Sequence, residues 1–281
     1  MNEKYFLTVC SLGSRPSLIE CVERLIQIKR MTDKDVSILV VINGTGFDQD
    51  FGPEVMVRIE IDKGYSNVRN RALSEIPENS NIIFVDDDEL PTLIWFDELV
   101  KMHAKYPIDL VFGPVFSEFG SEVSSYRDKF IDYFARMPNG ALAKQASTAN
   151  LLIPSSLIML GIVHFDAIFN FSGSEDTDLS FRLRKKGVNI RFAKKAVIHE
   201  VQQPERFESK YLESRFIKDV ANYSLVVRRN SNPMKILLRF FTLTLRIAVN
   251  SPLSFFRRSS YVKVVAYTKS LKVLIFGKVI L

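Results

Sequence analysis

Strand-like and helix-like stretches alternate over the first 200 residues, which predicts an α/β layer fold on a mainly parallel sheet. The runs Val36 to Ile42 and Asn81 to Val85 are nearly all apolar, as expected for strands covered on both faces. Residues 232–281 change character: they are apolar and basic, and they predict a helical extension behind a domain spanning residues 1–231.

Each element follows from its local pattern. Tyr5 to Cys10 is a short apolar run, read as the first strand. Ser17 to Met31 carries Leu18, Cys21, Val22, Leu25, Ile26 and Ile28 at helical spacing, with Pro16 before it and Ser14 or Ser17 as cap. Val36 to Ile42 is a strand that Gly44 and Gly46 break, and Val55 to Ile61 alternates as another. Gly64 opens a helix over Ser66 to Leu73, and Asn81 to Val85 is a strand ending on acids. Ile94 to Tyr106 is amphipathic, and Asp109 to Phe116 reads as one strand through Gly113-Pro114. Gly120 to Ser147 has weak periodicity and a Met137-Pro138-Asn139-Gly140 turn, so it reads as mobile or acceptor-facing loops. Ala149 to Ile153 is a strand and Asp176 to Lys186 a helix stopped by Gly187. Val188 to Phe192 and Ala196 to His199 are short strands, and Pro204 to Arg229 is a long helix.

The bulk composition narrows the function. A hydrophobic fraction of 47% is ample for a core. Cys10 and Cys21, both in apolar surroundings, read as free thiols of a cytosolic protein. The start MNEKYFLTVCSL has its apolar run too early and too short for a secretory signal. Residues 232–281 hold nine Lys or Arg and no Asp or Glu, so residues 1–231 carry −3 of the net +6. Such a tail suits a membrane surface, and its Leu, Ile, Val and Phe content argues against nucleic acid. Lys235, Arg239, Thr242 and Arg246 make one polar stripe on an otherwise apolar helix. That helix is expected to lie in a bilayer interface with its cations at anionic headgroups; the alternative is a packing appendage or dimer interface.

Three clusters carry chemistry. Asp86, Asp87, Asp88 and Glu89 follow a strand directly, where open α/β sheets gather ligands. Adjacent acids repel unless a cation or solvent compensates, and hard oxygens suit Mg²⁺ or Mn²⁺; a solvated acidic turn is the plain alternative. Glu175, Asp176 and Asp178 open a helix, where simple capping accounts for one or two acids. Lys63-Gly64-Tyr65-Ser66-Asn67-Val68-Arg69-Asn70 is a glycine turn into a helix with cations, suited to an anion or to an ordinary cap.

The order and spacing of these pieces resemble the family 2 glycosyltransferases of GT-A fold over residues 4 to 230. The resemblance rests on Ser14-Arg15-Pro16, Val40-Val41-Ile42-Asn43-Gly44, Gly64, Arg69-Asn70 and Asp86-Asp87-Asp88-Glu89. It continues through Phe165-Asp166 to Gly173, Glu175-Asp176-Thr177-Asp178-Leu179, Arg182 and Ala196-Val197-Ile198-His199-Glu200. Asp-Asp-Asp-Glu-x-Pro and Val-Phe-Gly-Pro-Val look like bacterial exopolysaccharide β-glycosyltransferases of the succinoglycan type.

The resemblance implies an inverting transfer from a nucleotide-diphosphate sugar, a UDP-sugar above all, to a saccharide or lipid-linked saccharide hydroxyl, with Mn²⁺ or Mg²⁺. It makes Asp176 the catalytic base and Glu175 an acceptor-holding residue. It makes Asp88 and, at a position where some relatives supply a ligand, His199 the metal ligands; a strand-end histidine packed on a neighbour is the alternative for His199. Donor contacts fall to Ser11, Arg15, Asn43, Lys63, Gly64, Arg69, Asp86 and Asp87, with Asp87 the variable middle acid. Asn43 departs from the Asp that many relatives place at the base, though an amide can pair with a uracil or thymine edge. The implied place is cytoplasmic, on the inner face of the cell membrane. A sugar nucleotidyltransferase, or a non-catalytic nucleotide-sugar or carbohydrate-binding protein, would use similar acids.

Overall fold

A computed structural model of the chain describes residues 3–45, 47–118, 134, 136–201, 208–254 and 257–278. Strands β1 (Lys4–Ser11), β2 (Asp35–Asn43), β3 (Val55–Glu60) and β4 (Ser80–Asp86) run parallel in the order β3-β2-β1-β4. Beyond β4 the sheet continues with β8 (Asn150–Ile153), β6 (Leu110–Phe112) and β9 (Ile190–Phe192). Of these, β8 runs against both its neighbours. A smaller sheet joins β5 (Glu89–Pro91), β10 (Ile198–Val201) and β7 (Val115–Glu118) in the order β5-β10-β7. The mainly parallel α/β sheet flanked by helices is the architecture that the alternation predicts.

Strand alternation builds a core on each face of the large sheet. Tyr5, Leu7 and Val9 pack with α1 (Ser17–Met31) and α3 (Trp95–Lys105). Phe6, Leu39, Val41 and Phe84 pack with α2 (Tyr65–Glu75), α4 (Ser155–Met159) and α5 (Glu175–Lys185). Helix α1 has the bounds that its apolar spacing predicts, but Pro16 is its cap residue and neither Ser14 nor Ser17 bonds its free N–H groups. Strand β3 lies at the sheet edge, so Ile59 and Ile61 of its alternating face are exposed.

The single strand expected over Asp109 to Phe116 is two strands in two sheets. A Cβ on Gly113 would lie 2.0 Å from the Ala196 carbonyl oxygen, so only glycine lets the chain turn there. Asn150 fixes the same junction. Its amide donates to the carbonyls of Ala196 (2.8 Å) and Pro114 (3.3 Å) and accepts from the Trp95 indole N–H (2.8 Å), all buried. The expected loops of Gly120 to Ser147 lie partly outside the described residues; the described part from Met137 joins the core and pairs with β9 through Ala143 and Ile190.

The C-terminal region is three helices: α6 (Ser209–Asn230), α7 (Pro233–Ser254) and α8 (Arg258–Phe276). The start expected for α6, Pro204, lies outside the described residues. Helix α8 returns to pack along both α6 and α7. Val273 joins Ala221, Leu225 and Val226 of α6, and Leu243 of α7 meets Tyr267 and Leu274. The division expected after residue 231 falls at the turn between α6 and α7, and α8 bridges it. Helix α6 is tied to the α/β body by Asn222, which donates to the Ser172 carbonyl, and by Asn230, which donates to Asp178 (2.7 Å).

Asn150→Ala is expected to lower unfolding free energy by about 3 kcal/mol, because it strands buried partners on three segments. Urea unfolding checks this; a loss under about 1 kcal/mol would mean that the junction does not depend on the amide.

Candidate active site

The carboxyl ends of β1, β2 and β4 open into a cavity of about 1040 Å³. Helix α5 and the loop before it form a second wall, and α6 forms a third through Tyr211, Arg215, Lys218 and Tyr223. Ser11, Arg15, Asn43, Lys63, Gly64, Arg69, Asp86, Asp87, Asp88 and Asp176 all line this one cavity. Two expected site residues do not. Glu175 points beneath the floor, and among the described residues Glu200, not His199, lines the wall.

The reason for the second difference is strand parity. Glu200 is in register with Glu89 and His199 with Leu90, and neighbours along a strand face opposite ways. His199 therefore does not reach the cavity as the resemblance implied, and Glu200 does.

A buried arginine ties the two acidic clusters together. Arg69 is 6% exposed, with one guanidinium nitrogen 2.9 Å from Glu175 Oε1 and the other 3.4 Å from Asp86 Oδ1. Burial works against its charge, but Glu175 and then Asp86 more than offset this and raise its pKa. Loss of water raises the Asp86 carboxyl to about 6, with Arg69 opposing and Asp88 and Asp87 adding to the rise. Burial likewise lifts Glu175 to about 7, against Arg69 and with Asp176. Glu175 thus braces Arg69 and does not line the cavity, where the resemblance implied that it holds an acceptor.

On the outer side Arg15 plays the matching part. It lies 2.7 Å from both Asp87 Oδ1 and Asp88 Oδ2, and the Ser11 hydroxyl donates to Asp87 Oδ2. Asp87, expected to be the variable middle acid, is 5% exposed and is the fixed point of this trio. The acids are also held from behind, since the Asp86 N–H donates to Glu89 Oε2 at 3.1 Å.

Asn43 is placed differently from the expected base contact. Its amide donates to the carbonyls of Glu60 (3.2 Å) and Asp62 (2.9 Å), and its oxygen accepts from Gly64 N–H (2.8 Å). Both donors are engaged within the chain, so Asn43 shapes the turn into α2 instead of offering a donor to a base. Gly64 in turn sits against Asn170: a Cβ there would lie 2.2 Å from the Asn170 side chain, and φ is +147°. Asn170 accepts from the N–H groups of Ser66 and Asn67, each at 3.0 Å, and so caps α2 from a distant segment.

The loop from Asn170 leads to Ser174, whose φ of +75° is left-handed, an uncommon state for a residue with a Cβ. That turn starts α5 with Glu175 under the floor and Asp176 on the wall. Asp176 Oδ1 accepts from the Thr177 hydroxyl at 3.2 Å. Arg215 and Lys218 were not foreseen from the sequence, because cations on a long helix read as a solvated face.

A divalent cation fits this site only if a ligand completes it. Asp86, Asp88 and Glu200 offer hard oxygens on the cavity wall. Among the described residues, however, no three His, Cys, Asp or Glu side chains form a group ready to hold a metal. One or two carboxylates plus phosphate oxygens are the usual shell for Mg²⁺ in phosphate sites, and the donor set meets that.

No protein-family model matches the sequence, and no curated protein matches it. Among solved structures the chain is similar to GalNAc-T7 crystallised with UDP, GalNAc and Mn²⁺, with a TM-score of 0.56 at 10% identity. The match covers 83% of this chain and 52% of that one, so the chain matches about half the length of that structure. The fold is therefore GT-A-like: a mixed, mainly parallel α/β sheet flanked by helices, with a C-terminal helical region.

Because the folded-state pKa of Glu175 lies near 7 and that of Asp86 near 6, the folded chain keeps protons that the unfolded chain has lost above their ordinary values of 4.5 and 3.8. Their contribution to stability is full below about pH 4 and falls as pH rises to about 7. Thermal melts should show Glu175→Gln removing the part of that fall that extends to about pH 7. An unchanged difference between variant and wild type across pH 4.5–7 would refute the assignment.

Proposed function

We propose that the chain is an inverting glycosyltransferase that moves a sugar from a nucleoside diphosphate, UDP by preference, to a saccharide hydroxyl. One observation carries the reading: Asp86 and Asp88 on one wall and Asp176 on another face a single large cavity, with Arg69 joining Asp86 to Glu175, the neighbour of Asp176. The GT-A-like fold supports it, and so does the sequence resemblance to family 2 enzymes. On that resemblance alone, the acceptor belongs to bacterial cell-surface polysaccharide synthesis.

In this reading the donor diphosphate lies over the Asp86–Asp88 wall. Asp88, with Asp86 beside it, would hold a divalent cation that arrives with the diphosphate; when bound, Mg²⁺ or Mn²⁺ neutralises the departing phosphate charge. Lys63, Arg215 and Lys218 line the same cavity and add positive charge for the anion. The sugar sits between that wall and Asp176. The Asp176 carboxylate takes the proton of the acceptor hydroxyl as its oxygen bonds to the anomeric carbon. The bond from that carbon to the diphosphate oxygen breaks on the opposite side, which inverts the configuration. Arg69 and Glu175 act as positioning residues: they fix the start of α5 relative to β4 and so the distance between base and donor.

Asp176→Asn is expected to lower kcat by about 10²–10⁴-fold while donor binding, read by thermal stabilisation with UDP-sugars, persists. Near-normal transfer by that variant would sink the base assignment. Asp88→Ala is expected to abolish cation-dependent donor binding, and EDTA to halt transfer; full activity in EDTA would remove the cation from the mechanism. Release of UDP, and not pyrophosphate, separates transfer from nucleotidyl chemistry.

A further inference from the structure

Helix α7 is inside out for a water-soluble surface helix. Only Leu243 on it is buried, while Leu237, Leu238, Phe241, Leu245, Val249 and Leu253 are exposed, Leu245 at 66%. At 100° per residue these six make one continuous face about 160° wide. Part of the polar stripe, which the sequence suggested would meet headgroups, turns the other way. Arg239 donates to Ser224 (3.2 Å) on α6 and Ser270 (3.5 Å) on α8, and its guanidinium lies over the Tyr223 ring. Arg246 lies over the Tyr267 ring of α8.

The small polar residues of α7 bond within their own helix. Thr242 donates to the Leu238 carbonyl (2.7 Å), Thr244 to Phe240 (3.0 Å), Asn250 to Arg246 (2.7 Å) and Ser251 to Ile247 (2.8 Å). Internal satisfaction of this kind is required where water is absent. The helix is long and apolar enough by composition to cross a membrane, and little of it is covered. Yet one side of it is held against α8, which packs on α6, so the arrangement suits one-sided insertion and not a span.

Charge selects the occupant. Residues 232–281 contain nine basic and no acidic residues; exposed Lys235 lies in the first turn of α7 and exposed Arg257 caps the start of α8. Lys263, Lys269 and Lys272 are exposed along α8. A second copy would bring like charges together, whereas an anionic lipid surface complements them. We propose that this chain docks on an anionic bilayer by laying the exposed apolar face of α7 into the interface, with Lys235, Arg257 and the exposed lysines of α8 at the headgroups. The proposal does not depend on the transferase reading.

Flotation of the full chain with vesicles tests it. Wild type should float with phosphatidylcholine vesicles containing phosphatidylglycerol and much less with phosphatidylcholine alone. The double variant Phe241→Glu, Leu245→Glu should lose at least about tenfold in partitioning. Both positions are exposed, so its circular dichroism melt should match wild type. Equal flotation of variant and wild type overturns the proposal, as does wild type that stays in solution with both vesicle types. A wild-type dimer that the double variant dissolves, without vesicle binding, assigns the face to a second copy and also overturns it.

Discussion

The site depends on compensating a concentration of negative charge that the sheet alone would not tolerate. Four acids follow in succession from the end of β4, and three more open α5 across the cavity. Carboxylates removed from water repel one another strongly, so each must be protonated, paired or rehydrated. Arg69 answers this from below and Arg15 from the outer side. Because Arg69 reaches one acid of each cluster, it also sets the geometry between them. Asp86 and Glu175 are parts of different elements, and this buried guanidinium links them directly.

That link needs its own support, and glycine and amide groups provide it. Arg69 lies on α2, whose start is fixed by Asn170 on the free N–H groups and by Asn43 on Gly64. Asn170 belongs to the loop that leads through left-handed Ser174 into α5. The same loop therefore places Arg69 from one side and Asp176 from the other. Helix α6 closes the arrangement: Tyr223 lines the cavity and also carries Arg239 of α7 on its ring. The cavity and the C-terminal helices share one wall.

Much of this was legible because local pattern and tertiary structure agree. The apolar spacing of Leu18 to Ile28 allows little but the helix that forms, and the run into Asp86 could only be a buried strand ending at the ligand edge. What was not legible depends on distant partners. Gly113 splits a strand because Ala196 and Asn150 crowd it. Glu200 and not His199 lines the cavity through a one-residue parity set by β5. Asn43 looked like a ligand-binding amide because its three partners, Glu60, Asp62 and Gly64, are brought to it only by the turn beyond β3. Arg215 and Lys218, exposed cations on α6, line the cavity through the docking of that helix. The stripe on α7 was visible, but its direction was set by α8.

The return of α8 along α6 has a consequence for biosynthesis. Ala221, Leu225 and Val226 are covered by Val273, which follows them by about fifty residues of chain. Until that stretch has left the ribosome, α6 has a bare apolar flank, and the wall carrying Tyr223 and Arg215 lacks its backing. Synthesis proceeds at roughly 5–20 residues per second, so the α/β body waits seconds for its last wall. During that interval two greasy surfaces, the flank of α6 and the outer face of α7, are exposed together on the nascent chain. Early capture of α7 by lipid would remove one of them and leave α8 a single vacant groove to fill.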